Sequence, residues 1–209
     1  MSQRIAIVDY GMGNLRSVQK ALLHAAPGAE VLVTDEPGVV DSADRVVFPG
    51  QGAMPDCMAS LRSSGLGDSV AQAAAERPFL GLCIGLQMLF ERSEEGDTPG
   101  LGLLPGQVRG FGAGMREQGL KVPHMGWNEV WQSGPHPLWE GIGDGERFYF
   151  VHSYYCAPGE AALTAATTRY PASFTSAIAR DNIFATQFHP EKSSVAGLKF
   201  LGNFASWIP

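Results

Sequence analysis

The sequence predicts an α/β protein with an open, mainly parallel mixed sheet and flanking helices. Four short, continuously apolar runs occupy the first half of the chain, and such runs are typical of parallel strands covered on both faces. Helical patterns separate these runs, as expected when crossover helices connect parallel strands. Closely spaced strand patterns then follow a segment rich in glycine and proline, which predicts an antiparallel extension of the same sheet.

Each element of the parallel half has a recognisable pattern. Leu15, Val18, Leu22 and Ala25 share one face of a predicted helix that Asn14 can cap. Weaker helical patterns cover residues 53–61 and 66–75. The predicted parallel strands are 4–9, 31–34, 45–48 and 79–82.

The second half is predicted to be antiparallel and to end in a helix. Residues 180–182 resemble a hairpin turn between two strands, and apolar residues at helical spacing predict a helix near the carboxyl terminus. No linker interrupts the chain, so residues 1–209 are predicted to form a single domain. The predicted strands here are 107–109, 128–131, 147–156, 163–168, 175–179 and 183–188.

Composition excludes several classes of protein. Hydrophobic residues make up 44% of the 209 residues and charged residues 17%, a balance typical of a folded globular domain. The formal net charge of −6 argues against nucleic acid as a partner. No run of about 18 apolar residues predicts a membrane span, and the amino-terminal segment lacks the pattern of a signal peptide. A cytoplasmic protein is therefore expected.

The cysteines point to a reducing compartment. Cys57, Cys83 and Cys156 are odd in number and widely spaced, which argues against a disulfide framework and against a structural zinc site. The sequence also lacks a phosphate-binding loop of the Walker type, and Gly11-Met-Gly13 fails as a dinucleotide motif because position 16 is arginine. No cofactor and no metal are expected.

The most informative motif is Gly81-Leu-Cys83-Ile-Gly85, which has the form of a nucleophile elbow with sulfur in place of a serine hydroxyl. Flanking glycines let a strand pass directly into a helix. The amino terminus of that helix favours a thiolate on Cys83, and the N–H of Ile84 would face an oxyanion formed beside it. Taken alone, the motif favours a buried structural cysteine at a tight turn over a nucleophile.

A nucleophile of this kind requires a base, and His189 is the best candidate. It ends an apolar run in Gln187-Phe-His189-Pro-Glu191, where the proline favours extended backbone at His189. Side chains two residues apart in extended chain lie on one side, so Glu191 can orient the His189 ring toward Cys83. Of the other four histidines, His24 and His136 are expected in a surface helix and a loop, and His124 and His152 in the core or at an interface.

A third motif, Pro49-Gly50-Gln51-Gly52, follows the third predicted strand. Such a loop can present backbone N–H groups to an anion, and the N–H of Gln51 is the candidate second oxyanion donor. By itself the motif is also compatible with an ordinary turn.

Taken together, the three motifs resemble those of the class I, or triad, glutamine amidotransferases. The resemblance implies a flavodoxin-like class I amidotransferase fold and hydrolysis of glutamine by a triad of Cys83, His189 and Glu191. Position 51 is glutamine where the family often has valine, and the expected role there belongs to the backbone. The resemblance also assigns glutamine binding to Gly50, Gly52, Gln87, Glu95, Ser153 and Tyr154.

Four further segments resemble the members of that family whose partner is a cyclase subunit built as a (β/α)8 barrel. They are 9–18, 123–128, 149–154 and 189–193, and Pro123-His-Met-Gly-Trp-Asn128 is the most specific of them. The resemblance implies a heterodimer that passes ammonia from glutamine to the cyclase. The implied contact residues are Met12, Asn14, Met125, Trp127, Asn128, Tyr149 and Lys192.

Two alternatives remain at this point. One is the amidotransferase subunit of anthranilate or aminodeoxychorismate synthase, against which residues 123–128 argue. The other is a binding protein that kept the fold and lost catalysis. Loss of Cys83, His189 or Glu191 would mark that second case, and all three are present.

Overall fold

The fold is a mixed sheet with helices packed on both faces, as seen in a computed structural model that describes residues 2–112, 115 and 121–209. The helices are Leu15–Ala25 (α1), Pro37–Asp41 (α2), Met54–Ser64 (α3), Gly67–Glu76 (α4), Ile84–Gln87 (α5) and Ser194–Ser206 (α6). Single turns of 3-10 helix lie at Glu95–Asp97, Pro137–Trp139, Ala161–Leu163 and Pro190–Lys192.

The strands follow a simple order along the chain. In the first half they are Arg4–Val8 (β1), Glu30–Thr34 (β2), Arg45–Gly50 (β3), Phe79–Cys83 (β4), Phe90–Ser93 (β5), Thr98–Pro99 (β6) and Leu104–Gly110 (β7). In the second half they are His124–Gln132 (β8), Glu146–His152 (β9), Tyr154–Pro158 (β10), Thr164–Arg169 (β11), Ser173–Arg180 (β12) and Ile183–Thr186 (β13).

The sheet has a parallel half and a mostly antiparallel half, which meet at β13; in the second half β5 and β7 pair in parallel. Strands β2, β1, β3, β4 and β13 lie side by side, and every neighbouring pair among them is parallel. On its other edge β13 pairs antiparallel with β12, from which the order continues through β10, β7, β5 and β6. Strands β8 and β9 form a ribbon that joins the sheet through β11. The predicted open mixed α/β sheet with flanking helices is confirmed.

Alternation along the parallel strands fills two cores, one on each face. Ala6, Val8 and Phe48 point into the core beneath α2, α3 and α4, whereas Ile5 and Val47 point into the core beneath α1 and α6. Because the central strands are covered on both faces, they read as continuous apolar runs in the sequence. The four predicted parallel strands therefore appear within one or two residues of their predicted bounds.

Three sequence predictions are corrected by the structure. Residues 147–156 form two strands, β9 and β10, with a break at Ser153. The helix after Cys83 is a single turn, α5, since the apolar residues that follow it lead into β5. Asn14 stands at the amino terminus of α1, but its side chain makes no capping hydrogen bond.

No helix in the described part of the chain is long and apolar enough to cross a membrane.

Candidate active site

Cys83 occupies a strained turn between β4 and α5. Its backbone angles are φ 53° and ψ −107°, a conformation that residues other than glycine rarely adopt. Gly85 makes the turn possible, because a Cβ atom at this position would lie 1.9 Å from the carbonyl oxygen of Phe48. The neighbouring strand β3 and the short helix α5 therefore approach each other closely, and the sulfur is held at the carboxyl end of the parallel strands.

Both neighbours of β4 bring predicted site residues to the same end of the sheet. In the register between β3 and β4, Gly50 lies opposite Cys83, so the Pro49–Gly52 loop starts beside the cysteine. On the other side β13 runs parallel to β4, with Thr186 opposite Leu82. The chain leaves β13 three residues before His189, at the same level as the sulfur.

His189 lies beside Cys83 and is held by Glu191. Its Nδ1 atom is 2.8 Å from Oε1 of Glu191, and the two side chains are only 7% and 2% exposed. Burial by itself would lower the pKa of His189. The negative charges of Cys83 and Glu191 outweigh burial and raise this pKa to about 10. The other ring nitrogen, Nε2, is buried without a regular hydrogen bond. His189 is therefore charged at neutral pH.

The turn that carries His189 is fixed to β9. The backbone N–H of His189 donates to the carbonyl of Tyr149 at 2.9 Å. The Ser193 hydroxyl donates to the His189 carbonyl and accepts from the N–H of Tyr149. These three bonds set the position of the imidazole with respect to the β8–β9 ribbon.

Most of the predicted site residues surround one cavity of about 260 Å³. Lys192, which the resemblance assigns to the partner interface, also lines it. Gly50, which lies opposite Cys83 in the strand register, and Glu191, which is hydrogen-bonded to His189, are not part of the lining. The lining residues are Gln51, Gly52, Cys83, Ile84, Gln87, Glu95, Pro123, Val151, His152, Ser153, Tyr154, His189 and Lys192.

Gln87 and Glu95 both have contacts within the protein. The Gln87 side chain is buried and its amide nitrogen donates to the Tyr154 carbonyl and to Oε1 of Gln187. Its own Oε1 has no partner among the residues that the structure describes. Oε2 of Glu95 accepts from the N–H of Met54 at 2.8 Å, which stabilises the first turn of α3. Each side chain thus reaches the cavity from a fixed position.

Gln187 is a site residue that the sequence analysis missed. It is fully buried, and its amide nitrogen lies 3.7 Å from the Cys83 sulfur, in position to donate to it. The signal was present in the sequence, because Gln187 precedes His189 by two residues in extended chain and so shares its side.

Two histidines near the cavity are neutral. Burial lowers the pKa of His152 to about 3 and that of His124 to about 4. His152 Nδ1 lies 2.8 Å from the Tyr154 carbonyl, which can only accept, so His152 Nε2 accepts from His124 Nδ1 at 2.8 Å. His124 Nε2 in turn accepts from Asn128. With both imidazoles committed, His189 is the histidine placed to exchange a proton with Cys83.

Of the predicted contact residues, Lys192 lines this cavity, and the residues differ in exposure. Met125 and Trp127 on β8 are 62% and 50% exposed, which is unusual for large apolar side chains. The Trp127 ring packs edge-on against Tyr149 of the neighbouring strand. Met12, Asn14, Asn128, Tyr149 and Lys192 are half-buried.

Comparison with known proteins identifies a matching family, similar proteins and a similar solved structure. The family model for class I glutamine amidotransferases matches residues 6–206. The imidazole glycerol phosphate synthase subunit HisH of Aromatoleum aromaticum is 65% identical over 212 residues, covering 98% of this chain and 99% of that protein. The HisH subunit of Thiobacillus denitrificans is 59% identical over 213 residues, covering 100% and 93%. Among solved structures, PurLQS from Thermotoga maritima matches 99% of both chains with a TM-score of 0.76 at 19% identity.

Proposed function

The chain belongs to the class I glutamine amidotransferase family, and we propose that its role there is that of the glutaminase subunit of imidazole glycerol phosphate synthase. It hydrolyses glutamine to glutamate and ammonia, and the ammonia serves histidine biosynthesis. The observation that carries the proposal is the strained Cys83 at the head of a cavity, beside an imidazolium held by Glu191. An anthranilate or aminodeoxychorismate synthase subunit is not favoured, because the relatives with 59–65% identity are HisH subunits.

The chemistry starts from a thiolate–imidazolium pair. Because His189 holds its proton at neutral pH, the Cys83 sulfur can attack the side-chain amide carbon of glutamine directly. The oxyanion is stabilised by the N–H groups of Ile84 and Gln51. His189 then gives its proton to the departing nitrogen, which leaves as ammonia, and a thioester to Cys83 remains.

Water completes the reaction. His189, now neutral, takes a proton from a water molecule that attacks the thioester carbon, and the Cys83 thiolate leaves as glutamate forms. Glu191 keeps the same tautomer and orientation of the ring through both half-reactions. Gln87, Glu95, Ser153 and Tyr154, together with Gly50 and Gly52, form the pocket that holds the glutamine.

The partner is a cyclase subunit with a (β/α)8 barrel, in a heterodimer. Ammonia is mostly ammonium at neutral pH and is then no nucleophile, so it has to reach the cyclase without entering bulk water. The exposed Met125 and Trp127, together with Lys192 at the cavity, support docking of the partner over the cavity. Tyr149 connects the two places, because it packs against Trp127 and its carbonyl accepts from the N–H of His189. Met12, Asn14 and Asn128 extend this surface. The whole chain, 1–209, acts as one glutaminase domain in the cytoplasm.

The test is an assay of glutamate release by the purified chain, alone and with the cyclase subunit. We expect weak activity alone and strong stimulation by the cyclase together with its nucleotide substrate. The Cys83→Ala chain in the same complex should release no glutamate above background. Activity of Cys83→Ala equal to that of the wild type would overturn the triad assignment. Full activity of the isolated chain would contradict the dependence on the partner.

A further inference from the structure

Two buried side chains hold the carbonyl groups on either side of the proposed oxyanion donor. The hydroxyl of Tyr10 donates to the carbonyl of Pro49 at 2.9 Å. The thiol of Cys57 donates to the carbonyl of Gln51 at 3.4 Å. The peptide between these two carbonyls is Gly50–Gln51, and its N–H is the donor assigned to the oxyanion above.

Tyr10 is built into this position. It is 2% exposed, its ring packs against Phe48 at 5.4 Å, and its own carbonyl accepts from the Ser60 hydroxyl on α3. A Cβ atom on Gly50 would lie 2.8 Å from the Tyr10 hydroxyl and 2.7 Å from the Cβ of Ile84. Gly50 is therefore enclosed between the tyrosine and the residue that supplies the other oxyanion donor.

Cys57 holds the loop from the other side. It lies on the first turns of α3, is fully buried, and belongs to the same core as Tyr10 and Phe48. Burial raises the pKa of the Tyr10 hydroxyl and of the Cys57 thiol. Both groups thus keep their hydrogens and remain donors throughout the neutral pH range.

We infer that Tyr10 and Cys57 are positioning residues for the glutaminase reaction, fixing the Pro49 and Gln51 carbonyls so that the N–H of Gln51 faces the oxyanion. The inference rests on the proposed function and extends it to two side chains that do not line the cavity. Because the carbonyls on both sides are held, the Gly50–Gln51 peptide between them has little rotational freedom. A donor displaced by about 1 Å can cost up to about 100-fold in rate.

Tyr10→Phe is the first test, because it removes one hydroxyl and keeps the packed ring. In the complex with the cyclase subunit, we expect kcat for glutamine hydrolysis to fall about tenfold, with KM for glutamine unchanged. The matched control is Tyr170→Phe, since the Tyr170 hydroxyl also donates to a backbone carbonyl, that of Lys121, at 2.8 Å. This control should keep the wild-type kcat.

Cys57 provides a second test. Cys57→Ala should lower kcat about tenfold at constant KM, whereas Cys57→Ser keeps a donor and should restore most of the loss. Cys156→Ala is the matched control, because Cys156 is equally buried and touches no part of the loop by a hydrogen bond. Thermal unfolding of every variant separates loss of fold from loss of rate.

The outcomes distinguish the two proposals. An inactive wild-type complex would overturn the proposed function. An active wild type, with Tyr10→Phe and Cys57→Ala both folded and as fast as their controls, would overturn the positioning role alone. If kcat falls in Cys57→Ala and is equally low in Cys57→Ser, the positioning role of Cys57 is also contradicted, because loss of the hydrogen-bond donor is then not the cause. If Cys57→Ala does not fold, Tyr10→Phe decides.

Discussion

At the scale of single residues, the decisive interaction is that of His189 with Cys83 and Glu191. Burial disfavours the imidazolium, yet the sulfur and the Glu191 carboxylate raise the pKa of His189 to about 10, from an ordinary value of 6.5. A histidine whose pKa is raised by folding stabilises the folded state. That contribution is fully present below pH 6.5 and is lost as the pH rises through about 10.

The first prediction follows from this interaction. Cys83→Ala removes the largest of the attractive effects on His189, so the pKa of His189 should fall well below about 10. NMR titration of the imidazole nitrogens measures this directly. The free energy of unfolding of Cys83→Ala should also decline less than that of the wild type between pH 6.5 and 10. In the control Cys156→Ala, His189 should titrate as in the wild type. An unchanged His189 titration in Cys83→Ala would disprove the ion pair.

The second residue-scale prediction concerns reactivity. Cys83 lines the cavity, whereas Cys57 and Cys156 are fully buried and burial raises the pKa of both thiols. A glutamine-like chloroketone should therefore alkylate Cys83 alone. Peptide mapping by mass spectrometry identifies the modified cysteine. Labelling of Cys57 or Cys156 in folded protein would remove Cys83 from the role of nucleophile.

At the scale of elements, the elbow between β4 and α5 depends on close approach to β3. A Cβ atom on Gly85 would lie 1.9 Å from the Phe48 carbonyl oxygen, and the backbone of β3 cannot move without displacing Gly50. Gly85→Ala should lower the free energy of unfolding by about 3 kcal/mol and abolish glutaminase activity. Urea unfolding and the glutamate assay measure the two effects.

Gly67→Ala is the matched control for this substitution. Gly67 opens α4, and a Cβ atom there would meet nothing within 4 Å. We expect this variant to be as stable as the wild type or more stable by about 0.5–1 kcal/mol, since alanine loses less conformational freedom than glycine on folding. Equal stabilities of Gly85→Ala and Gly67→Ala would show that the turn tolerates a side chain.

At the scale of the whole molecule, the β8–β9 ribbon joins the proposed docking surface to the triad. Trp127 lies on the exposed side of this ribbon and packs against Tyr149, whose carbonyl accepts from the N–H of His189. Trp127→Ala should weaken binding to the cyclase subunit by about 2 kcal/mol or more and leave the free energy of unfolding unchanged. Titration calorimetry with the cyclase measures this loss.

Trp131 supplies the comparison on the same strand. It is 46% exposed and lies four residues further along β8, roughly 13 Å from Trp127. Trp131→Ala should bind the cyclase with the affinity of the wild type. An equal loss in both variants would indicate a general effect on the ribbon, and no loss in either would contradict docking at Trp127.

Sequence reasoning succeeded where one local pattern decides the structure. The parallel strands are buried on both faces, and the elbow and the His-Pro-Glu turn each lie within five residues, so each could be recognised from a short segment. Sequence reasoning failed where pairing with strands distant in the sequence decides the structure. Residues 147–156 are continuously strand-like, but β9 pairs with β8 and β10 pairs with β7 and β12, so the chain breaks at Ser153 to change partners. The role of Tyr10 likewise depends on contacts with residues that are distant in the chain.

The adjacency of β4 and β13 has a consequence for how such a chain can diverge. Gln187, which precedes the base His189 by two residues, is 104 positions from the nucleophile Cys83. The strands that lead to the two sites, β4 and β13, are nevertheless immediate neighbours in the sheet. The segment between them forms β5 to β12, which extend the same sheet beyond β13, and the chain then returns next to β4. Insertions or deletions in the loops of that segment can change the rim of the cavity, and with it the synthase subunit that binds there. The distance between the two reacting atoms stays the same.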